Sequence, residues 1–182
     1  DGPAHTFVSF RFADERYLAV SIEIRKEVGE TFAPIRALYR EYELQYVFGD
    51  ERDLVDLRAN HRHDEVFVYP IVASKAQMSA FLLDMVDRAN ALARTPEFYN
   101  ILTSTCTTNL VDHLRRVSRL PVPRFDRRVL LPAHSAELAH ELGLLGETPF
   151  DVLRARGKIN ARAASARGGD DFSTRIRVGI DR

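Results

Sequence analysis

The chain has 182 residues, of which 45% are hydrophobic and 29% charged, a composition typical of a globular domain of ordinary size. Its 26 Lys and Arg residues balance its 26 Asp and Glu residues. This balance, with no interleaving of basic and aromatic residues, argues against nucleic-acid binding. No apolar run approaches the roughly 18 residues that a membrane-spanning helix needs.

The first elements along the chain predict a β-hairpin. Residues 5–12 (HTFVSFRF) and 17–25 (YLAVSIEIR) both alternate between apolar and polar positions. Such period-two runs are typical of half-buried strands. The three residues between them, 13–15, are of the right length for a hairpin turn.

The middle of the chain predicts short alternating elements. We expect a helix over residues 35–40, a strand over 42–48, a helix over 51–60 and a strand over 65–72. Because Pro70 cannot donate a ladder hydrogen bond, the last of these strands is expected at a sheet edge.

Two longer helices follow. Apolar residues recur at helical spacing over residues 75–94, where Ser74 and Gln77 form a capping-box pattern. The next helix is predicted over residues 106–118, and the hydroxyl residues at 103–105 are all suited to cap its start.

The last part of the chain predicts a helix over residues 135–142, closed by Gly143. Strands and helices without regular βαβ alternation favour an α+β fold. We therefore expect one domain over residues 1–153 and a basic, flexible tail over 154–182. The Ala-, Gly- and Arg-rich residues 161–171 are predicted to be poorly ordered.

Cys106 is the single cysteine of the chain, so no internal disulfide can form. Its predicted place is a helix N-terminus, where unpaired N–H groups and the helix dipole favour the thiolate and lower the pKa. The same N–H groups can bind a developing oxyanion. The alternative is a buried, inert cysteine that packs as a small hydrophobe.

The histidines differ as candidate general bases in their expected distance from the thiol. His113 lies seven residues after Cys106, about 10 Å along the same helix, and cannot touch the sulfur. His61 and His63 suggest a metal site, but no third ligand is placed, so we predict no metal. The two histidines farther along are interpreted as surface residues: His134 and His140.

His5 is the remaining base candidate. In a hairpin with a three-residue turn, Glu23 lies directly across from His5, and Cβ atoms of such pairs are about 5 Å apart. Glu23 can then accept the imidazole N–H that does not face sulfur. A register slip of one residue would break the arrangement. The alternative is a surface ion pair that contributes little.

Several motifs stand in a fixed order along the chain: HTFVSF from His5, SIEIRKEVGE from Ser21, YELQYV from Tyr42, ERDL from Glu51, PEFYN from Pro96 and CTTN from Cys106. Together they resemble the Lnb N-terminal periplasmic domain family, over about residues 2–160. The resemblance implies an extracytoplasmic domain, membrane-associated in the full-length protein. It also implies a permuted papain-like (NlpC/P60-related) antiparallel sheet packed against helices.

The named enzymes of this family are lipoprotein intramolecular transacylases, and we expect this chain to need no cofactor. They move an acyl chain from the glycerol of a diacylated lipoprotein to the α-amino group of its N-terminal cysteine. By this resemblance Cys106 is the nucleophile, His5 the base, and Glu23 or another polar group on the second strand orients the histidine. Further residues are candidates for binding substrate or an oxyanion: Ser21, Tyr99, Asn100, Thr105, Thr107 and Asn109.

Three functions stay open at this point. The first is acyl transfer or hydrolysis through a Cys106 thioester, with a lipoprotein or other acyl substrate and a membrane surface as partners. The second is a cysteine peptidase or amidase acting on cell-wall peptides. The third is a catalytically silent domain that binds a lipid or a partner. It stays open because Ser104 and Thr105 stand where the family usually has Asn-Asn.

A set of arginines is interpreted either as a solvated basic stretch or as contacts to phospholipid head groups: Arg115, Arg116, Arg119, Arg124, Arg127 and Arg128.

Overall fold

The computed structural model describes residues 4–25, 29, 42–100, 103–118, 120–122, 126–130 and 132–180. Over this part of the chain the fold is α+β, as predicted. A three-stranded antiparallel sheet has the strand order β1-β2-β3, and helices follow it in the chain. The helix predicted over residues 35–40 lies outside the described residues.

The first two strands form the predicted hairpin, with β1 at Phe7–Arg11 and β2 at Tyr17–Arg25. The Phe12 N–H donates to the Arg16 carbonyl (2.9 Å), and the turn needs a left-handed residue, Glu15, at φ 61°. A three-residue loop with its last residue left-handed is a common hairpin connection. Phe12 and Arg16, which close this turn, are paired in the strand register that the sequence predicts.

Strand β3 covers Glu43–Asp50 and leads directly into helix α1, Glu51–Asp56. The Asp50 carboxylate caps this helix by accepting from the Arg52 N–H at 2.8 Å. A π-helical turn continues it over Leu57–His61. The predicted strand and helix are therefore both present, with the helix changing its hydrogen-bonding pattern near its end.

The strand predicted over residues 65–72 is wrong. This segment makes one isolated bridge, Phe67 to Lys158, and exchanges backbone hydrogen bonds with Gly157 and Ile159. These partners lie at the end of a helix and directly after it. They form single hydrogen bonds with residues 65–72 and no continuous β-ladder.

The two long helices confirm their predicted bounds: α2 at Lys75–Arg94 and α3 at Cys106–Ser118. The Ser74 side chain caps α2 and Gln77 completes the capping box.

Shorter helices complete the fold: α4 at Arg127–Leu130, α5 at Ser135–Glu141, α6 at Phe150–Gly157, α7 at Asn160–Ala166 and α8 at Phe172–Arg175. Gly143 closes α5 with φ 75°, as predicted.

The prediction of poor order over residues 161–171 is wrong, and the predicted boundary at residue 153 falls inside α6. Helix α7 lies in the predicted tail, and its Ala163 and Ala166 are fully buried. Phe172 and Ile176 beyond it are buried too. Small buried alanines let a helix pack closely while its arginines stay outside, so composition alone misrepresents this segment.

The chain divides into two units, each built from three segments. The first comprises Asp1–Val8, Val20–Val47 and Ala73–Leu138, and its core includes Ile22 and Met85. The second comprises Ser9–Ala19, Phe48–Val72 and Ala139–Arg182.

Candidate active site

The candidate nucleophile stands at the first position of a well-capped helix. The Thr105 hydroxyl accepts from the Thr108 N–H at 3.2 Å, and the Thr108 hydroxyl accepts from the Thr105 N–H at 2.7 Å. This reciprocal pair satisfies two backbone donors of the first turn, as an N-terminal cap does. Helix α3 therefore begins at Cys106, and the predicted capping by residue 105 is confirmed.

Two asparagines hold the loop before the cysteine. The Asn100 side-chain oxygen accepts from the Thr103 N–H at 3.0 Å. The Asn109 side-chain amide donates to the Thr105 carbonyl at 2.8 Å and to the Ser104 hydroxyl at 3.2 Å. The substrate-candidate residues Asn100, Thr105 and Asn109 thus make local contacts close to Cys106 in the sequence.

The Cys106 thiol is buried, with 4% of the residue exposed. Burial raises its pKa. Hydrogen bonds from the backbones of Thr6 and Thr107 and from the Thr107 side chain oppose that rise, while the negative charge of Glu23 adds to it. The sequence prediction of a lowered pKa is therefore wrong, because loss of water around the sulfur outweighs the helix N-terminus.

The Thr6 backbone, which contacts the Cys106 sulfur, belongs to the segment that leads into β1. The sulfur therefore lies beside the residue that follows His5 in the chain. Thr6 was not singled out from the sequence, because nothing in its residue type signals a role. Its hydroxyl lies 3.4 Å from the Thr107 hydroxyl and 3.4 Å from the Ser135 hydroxyl. These contacts join the start of the chain to α3 and α5.

His5, Ser21 and Glu23 form a chain of polar contacts. The His5 Nε2 atom lies 2.6 Å from the Ser21 Oγ atom, which donates to the Glu23 carboxylate at 2.7 Å. The direct distance from His5 Nε2 to Glu23 Oε1 is 3.4 Å. Ser21 is fully buried, whereas the His5 and Glu23 side chains are each a little over a quarter exposed.

Tyr99 lies at the same site. Burial, and then the negative charges of Cys106 and Glu23, raise the pKa of Tyr99 to about 12. Among the residues singled out from the sequence, the structure therefore brings together His5, Ser21, Glu23, Tyr99, Cys106 and Thr107.

His113, excluded by distance as the base, is fully buried in a separate polar network. Its Nδ1 atom contacts the Asp84 carboxylate at 2.5 Å and its Nε2 atom the Tyr46 hydroxyl at 2.7 Å. Arg116 also pairs with Asp84, at 2.8 Å. The network ties α3 to α2 and β3, so it holds the helix that carries the thiol.

Three other histidines contact groups other than the thiol. His61 contacts Asp56 and Arg167, and His134 pairs with Glu137. His140, predicted at the surface, is half-buried and contacts the Thr148 carbonyl at 2.8 Å. Among the described residues, no group of three or more His, Cys, Asp or Glu side chains is arranged to hold a metal ion.

Basic residues in the last turn of α3 and after this helix make intramolecular contacts. Arg115 donates to the Val122 carbonyl at 3.1 Å, and Arg128 pairs with Asp126 at 2.8 Å. Arg119 and Arg124 lie outside the described residues. In the part of the chain that the structure covers, no helix is both long and apolar enough to cross a bilayer.

One family model matches the chain: the Lnb N-terminal periplasmic domain, over residues 2–137. The match covers well over half of the chain and ends in α5. The resemblance in the sequence extends farther, to about residue 160. Neither the curated proteins nor the solved structures include a significant match to this chain.

Proposed function

The chain belongs to the Lnb N-terminal periplasmic domain family, and on that basis we propose that it is an extracytoplasmic enzyme that transfers acyl groups through a thioester on Cys106. One observation carries the proposal: the sulfur at the N-terminus of α3 lies against the segment that holds His5, whose imidazole is bound by Ser21 and Glu23. A thiol, a base and a group that orients the base are the parts that nucleophilic catalysis requires.

The reaction has two steps. In the first, Cys106 attacks the ester carbonyl carbon, a C–S bond forms, and His5 takes the thiol proton. The C–O bond then breaks, and the leaving alcohol receives that proton from His5. In the second step an amine attacks the thioester, an amide bond forms, and the sulfur recovers its proton through His5.

The start of α3 supplies a place for the oxyanion of each tetrahedral intermediate. Backbone N–H groups in the first turn of a helix have no intrahelical acceptor, and the helix dipole adds positive potential there. Since Cys106 is the first residue of α3, the oxygen of a carbonyl under attack lies near these donors.

The proposed substrate is a diacylated lipoprotein, and the proposed acceptor is the α-amino group of its N-terminal cysteine. This requires the active site to work at a membrane surface, so we propose membrane association for the full-length protein. The proposed fold is a permuted papain-like arrangement. The order of the catalytic pair supports it, because His5 precedes Cys106 in the chain.

The test is formation of an acyl-enzyme. The purified chain is incubated with p-nitrophenyl octanoate, and the protein is analysed by mass spectrometry before and after hydroxylamine treatment. We expect an octanoyl adduct on Cys106 that hydroxylamine removes, as it removes thioesters. Cys106→Ala should abolish it, and His5→Ala should slow its formation by about 10²- to 10⁴-fold, the usual contribution of a general base. His61→Ala is the matched control, because this exposed histidine pairs with Asp56.

A synthetic diacylated lipopeptide in detergent micelles then tests the acceptor. Tandem mass spectrometry distinguishes an O-linked acyl chain from one on the terminal amine, although the total mass is unchanged. Transfer to the amine supports transacylation, and release of free fatty acid supports hydrolysis. Absence of any acyl adduct with either donor would reject the enzymatic proposal.

A further inference from the structure

A fully buried histidine, His113, lies on α3, the helix that begins at the candidate nucleophile. Polar side chains from three elements contact its imidazole: Tyr46 from β3, Asp84 from α2 and Arg116 from α3 itself. Arg88 of α2 acts on the ring by its charge. Among the residues that the structure describes, these four are the charged or titratable groups that face the ring. Together with His113 they form the His113 network, which lies within the first unit.

The contacts of the ring place a hydrogen on its Nδ1 atom. Asp84 Oδ2 lies 2.5 Å from Nδ1. Asp84 also pairs with Arg116, so it is a carboxylate, which can only accept. The hydrogen between Asp84 and His113 therefore belongs to the imidazole. Arg116 Nη2 approaches the same Nδ1 atom at 2.9 Å. Because both of these nitrogens carry hydrogens, this approach disfavours a positive charge on the ring.

The other ring nitrogen, Nε2, accepts a hydrogen bond from the Tyr46 hydroxyl, which lies 2.7 Å away. Arg88 hydrogen-bonds to that hydroxyl, and a guanidinium can only donate. The Tyr46 oxygen thus accepts from Arg88 and gives its own hydrogen to His113. Burial raises the pKa of Tyr46, which keeps this hydrogen on the phenol. A neutral His113 therefore satisfies the network, with a partner on each ring nitrogen.

A protonated His113 does not fit this network. A hydrogen on Nε2 would meet the hydrogen that Tyr46 donates, and Arg88 offers no acceptor to which the phenol could turn. The imidazolium would also be a third cation beside Arg88 and Arg116, with one carboxylate among them. The rings of Phe81 and Tyr46 stand edge-on to the imidazole at 5.8 and 5.6 Å, and none of His113 is exposed to water. A buried charge without full compensation is strongly unfavourable.

We propose that the His113 network is an acid-sensitive switch, in which proton uptake by His113 breaks its bond with Tyr46 and releases α3 from β3 and α2. Histidine is the side chain whose ordinary titration falls in the physiological pH range. The release reaches the thiol site, because α3 begins at Cys106. The switch is a property of the fold, so it operates whether or not Cys106 carries an acyl group.

The pH at which the switch opens follows from the linkage between proton binding and opening. Burial lowers the pKa of His113; the hydrogen bond with Asp84 opposes this, and the charges of Arg116 and Arg88 add to the lowering. In the released helix the ring regains the ordinary histidine pKa of about 6.5. The closed form is therefore favoured above about pH 6.5 and loses this advantage as the pH falls below that value. Because each pH unit below it contributes up to about tenfold, opening should increase by up to about thirtyfold between pH 7.5 and pH 5.

Amide hydrogen exchange of the whole chain at pH 7.5 and pH 5 measures the opening. Mass spectrometry follows peptides from each helix, and the same peptides in the unfolded chain correct for the intrinsic effect of pH. We expect the protection of α3 to fall by up to about thirtyfold at pH 5, while α7 of the second unit changes far less. His113→Gln cannot take up a proton, so its α3 should lose this response. His134→Gln is the matched control and should keep it, because partly exposed His134 pairs with Glu137 in the same unit.

A second variant tests the direction of the Tyr46 hydrogen bond. Tyr46→Phe removes the donor to Nε2, so proton uptake becomes easier and α3 should open at a higher pH than in the wild type. ¹⁵N NMR of the histidine-labelled chain, with His113→Gln for assignment, reports the protonation of each ring nitrogen. We expect wild-type His113 to carry its hydrogen on Nδ1 alone at pH 7.5. It should still be mostly neutral at pH 6.5, where an ordinary histidine is half protonated.

A hydrogen on Nε2 of His113 at pH 7.5 would overturn the switch. So would equal protection of α3 at the two pH values, or a fall that persists in His113→Gln or occurs equally in α7. Should His113→Gln fail to fold, Tyr46→Phe decides, because an opening pH at or below that of the wild type contradicts the proposal. None of these measurements involves an acyl-enzyme, so failure of the switch is distinguishable from failure of the proposed function.

Discussion

A buried ion pair fixes the end of the chain, and breaking it should destabilise the protein strongly. Glu51, at the start of α1, is fully buried. Its two carboxylate oxygens accept from Arg177, at 2.5 and 2.6 Å. The Arg177 guanidinium also lies 4.4 Å from the centre of the Tyr17 ring. All three residues belong to the second unit.

Arg177→Met removes both contacts and leaves the Glu51 carboxylate in the interior without this partner. Removing one member of a buried pair costs about 3–5 kcal/mol, because the remaining charge keeps its desolvation penalty. For a chain of this length, such a loss lowers Tm by about 6–20 °C. Arg175→Met is the matched control, since Arg175 pairs with exposed Asp171 at 3.9 Å and surface pairs contribute about 0–1 kcal/mol.

Urea and thermal unfolding, followed by circular dichroism, measure these differences. The double variant Glu51→Leu/Arg177→Met should recover most of the stability lost in Arg177→Met, because replacing both members by apolar residues removes the unpaired charge. A loss below about 1 kcal/mol for Arg177→Met, equal to that of Arg175→Met, would refute the reasoning.

Three further predictions concern α3. The rate at which iodoacetamide alkylates Cys106 should rise with pH, and the midpoint of this rise should lie above the free-thiol pKa of about 8.5. The reason is that burial raises the pKa of Cys106. A midpoint below the free-thiol value would contradict this reasoning. Thr105→Ala should lower the free energy of unfolding by about 1 kcal/mol, because the N-cap of α3 is lost. Urea unfolding measures this loss, with Thr103→Ala as the exposed control. An equal loss in the two variants would count against the cap. Burial lowers the pKa of His113, so the unfolded chain binds this proton more readily. The contribution of neutral His113 to the free energy of unfolding is therefore present above about pH 6.5 and is lost as the pH falls below that value. Urea midpoints at pH 5 and pH 7.5 should show this loss, and it should shrink in His113→Gln.

The sequence could predict the elements whose signals are local. The hairpin follows from alternation and a turn of three residues, and this alone places His5 and Glu23 on one face. Helices α2 and α3 follow from apolar spacing and from hydroxyl caps at Ser74 and Thr105. Each of these signals acts over a few residues, so no knowledge of distant contacts is needed.

Other features depend on tertiary contacts that the sequence does not reveal. Residues 65–72 read as a strand, but their partners, Gly157 and Ile159, come from a part of the chain about 90 residues away. Helix α7 has the composition of a flexible tail, yet buries Ala163 completely. The order of contacts around His5 also depends on side-chain conformation, because Ser21 and Glu23 lie on the same face of β2 and both can reach it.

The pKa of Cys106 shows why local and tertiary effects must be weighed together. A helix N-terminus stabilises a thiolate, but the same packing that places the sulfur there removes it from water, and burial raises its pKa. The resting site therefore holds a neutral thiol. A buried thiolate would keep a permanent charge near Glu23, whose negative charge disfavours it. A neutral thiol avoids this cost, but in the proposed mechanism it needs a general base to take its proton before it attacks. In that proposal the contacts of His5 with Ser21 and Glu23 orient the base.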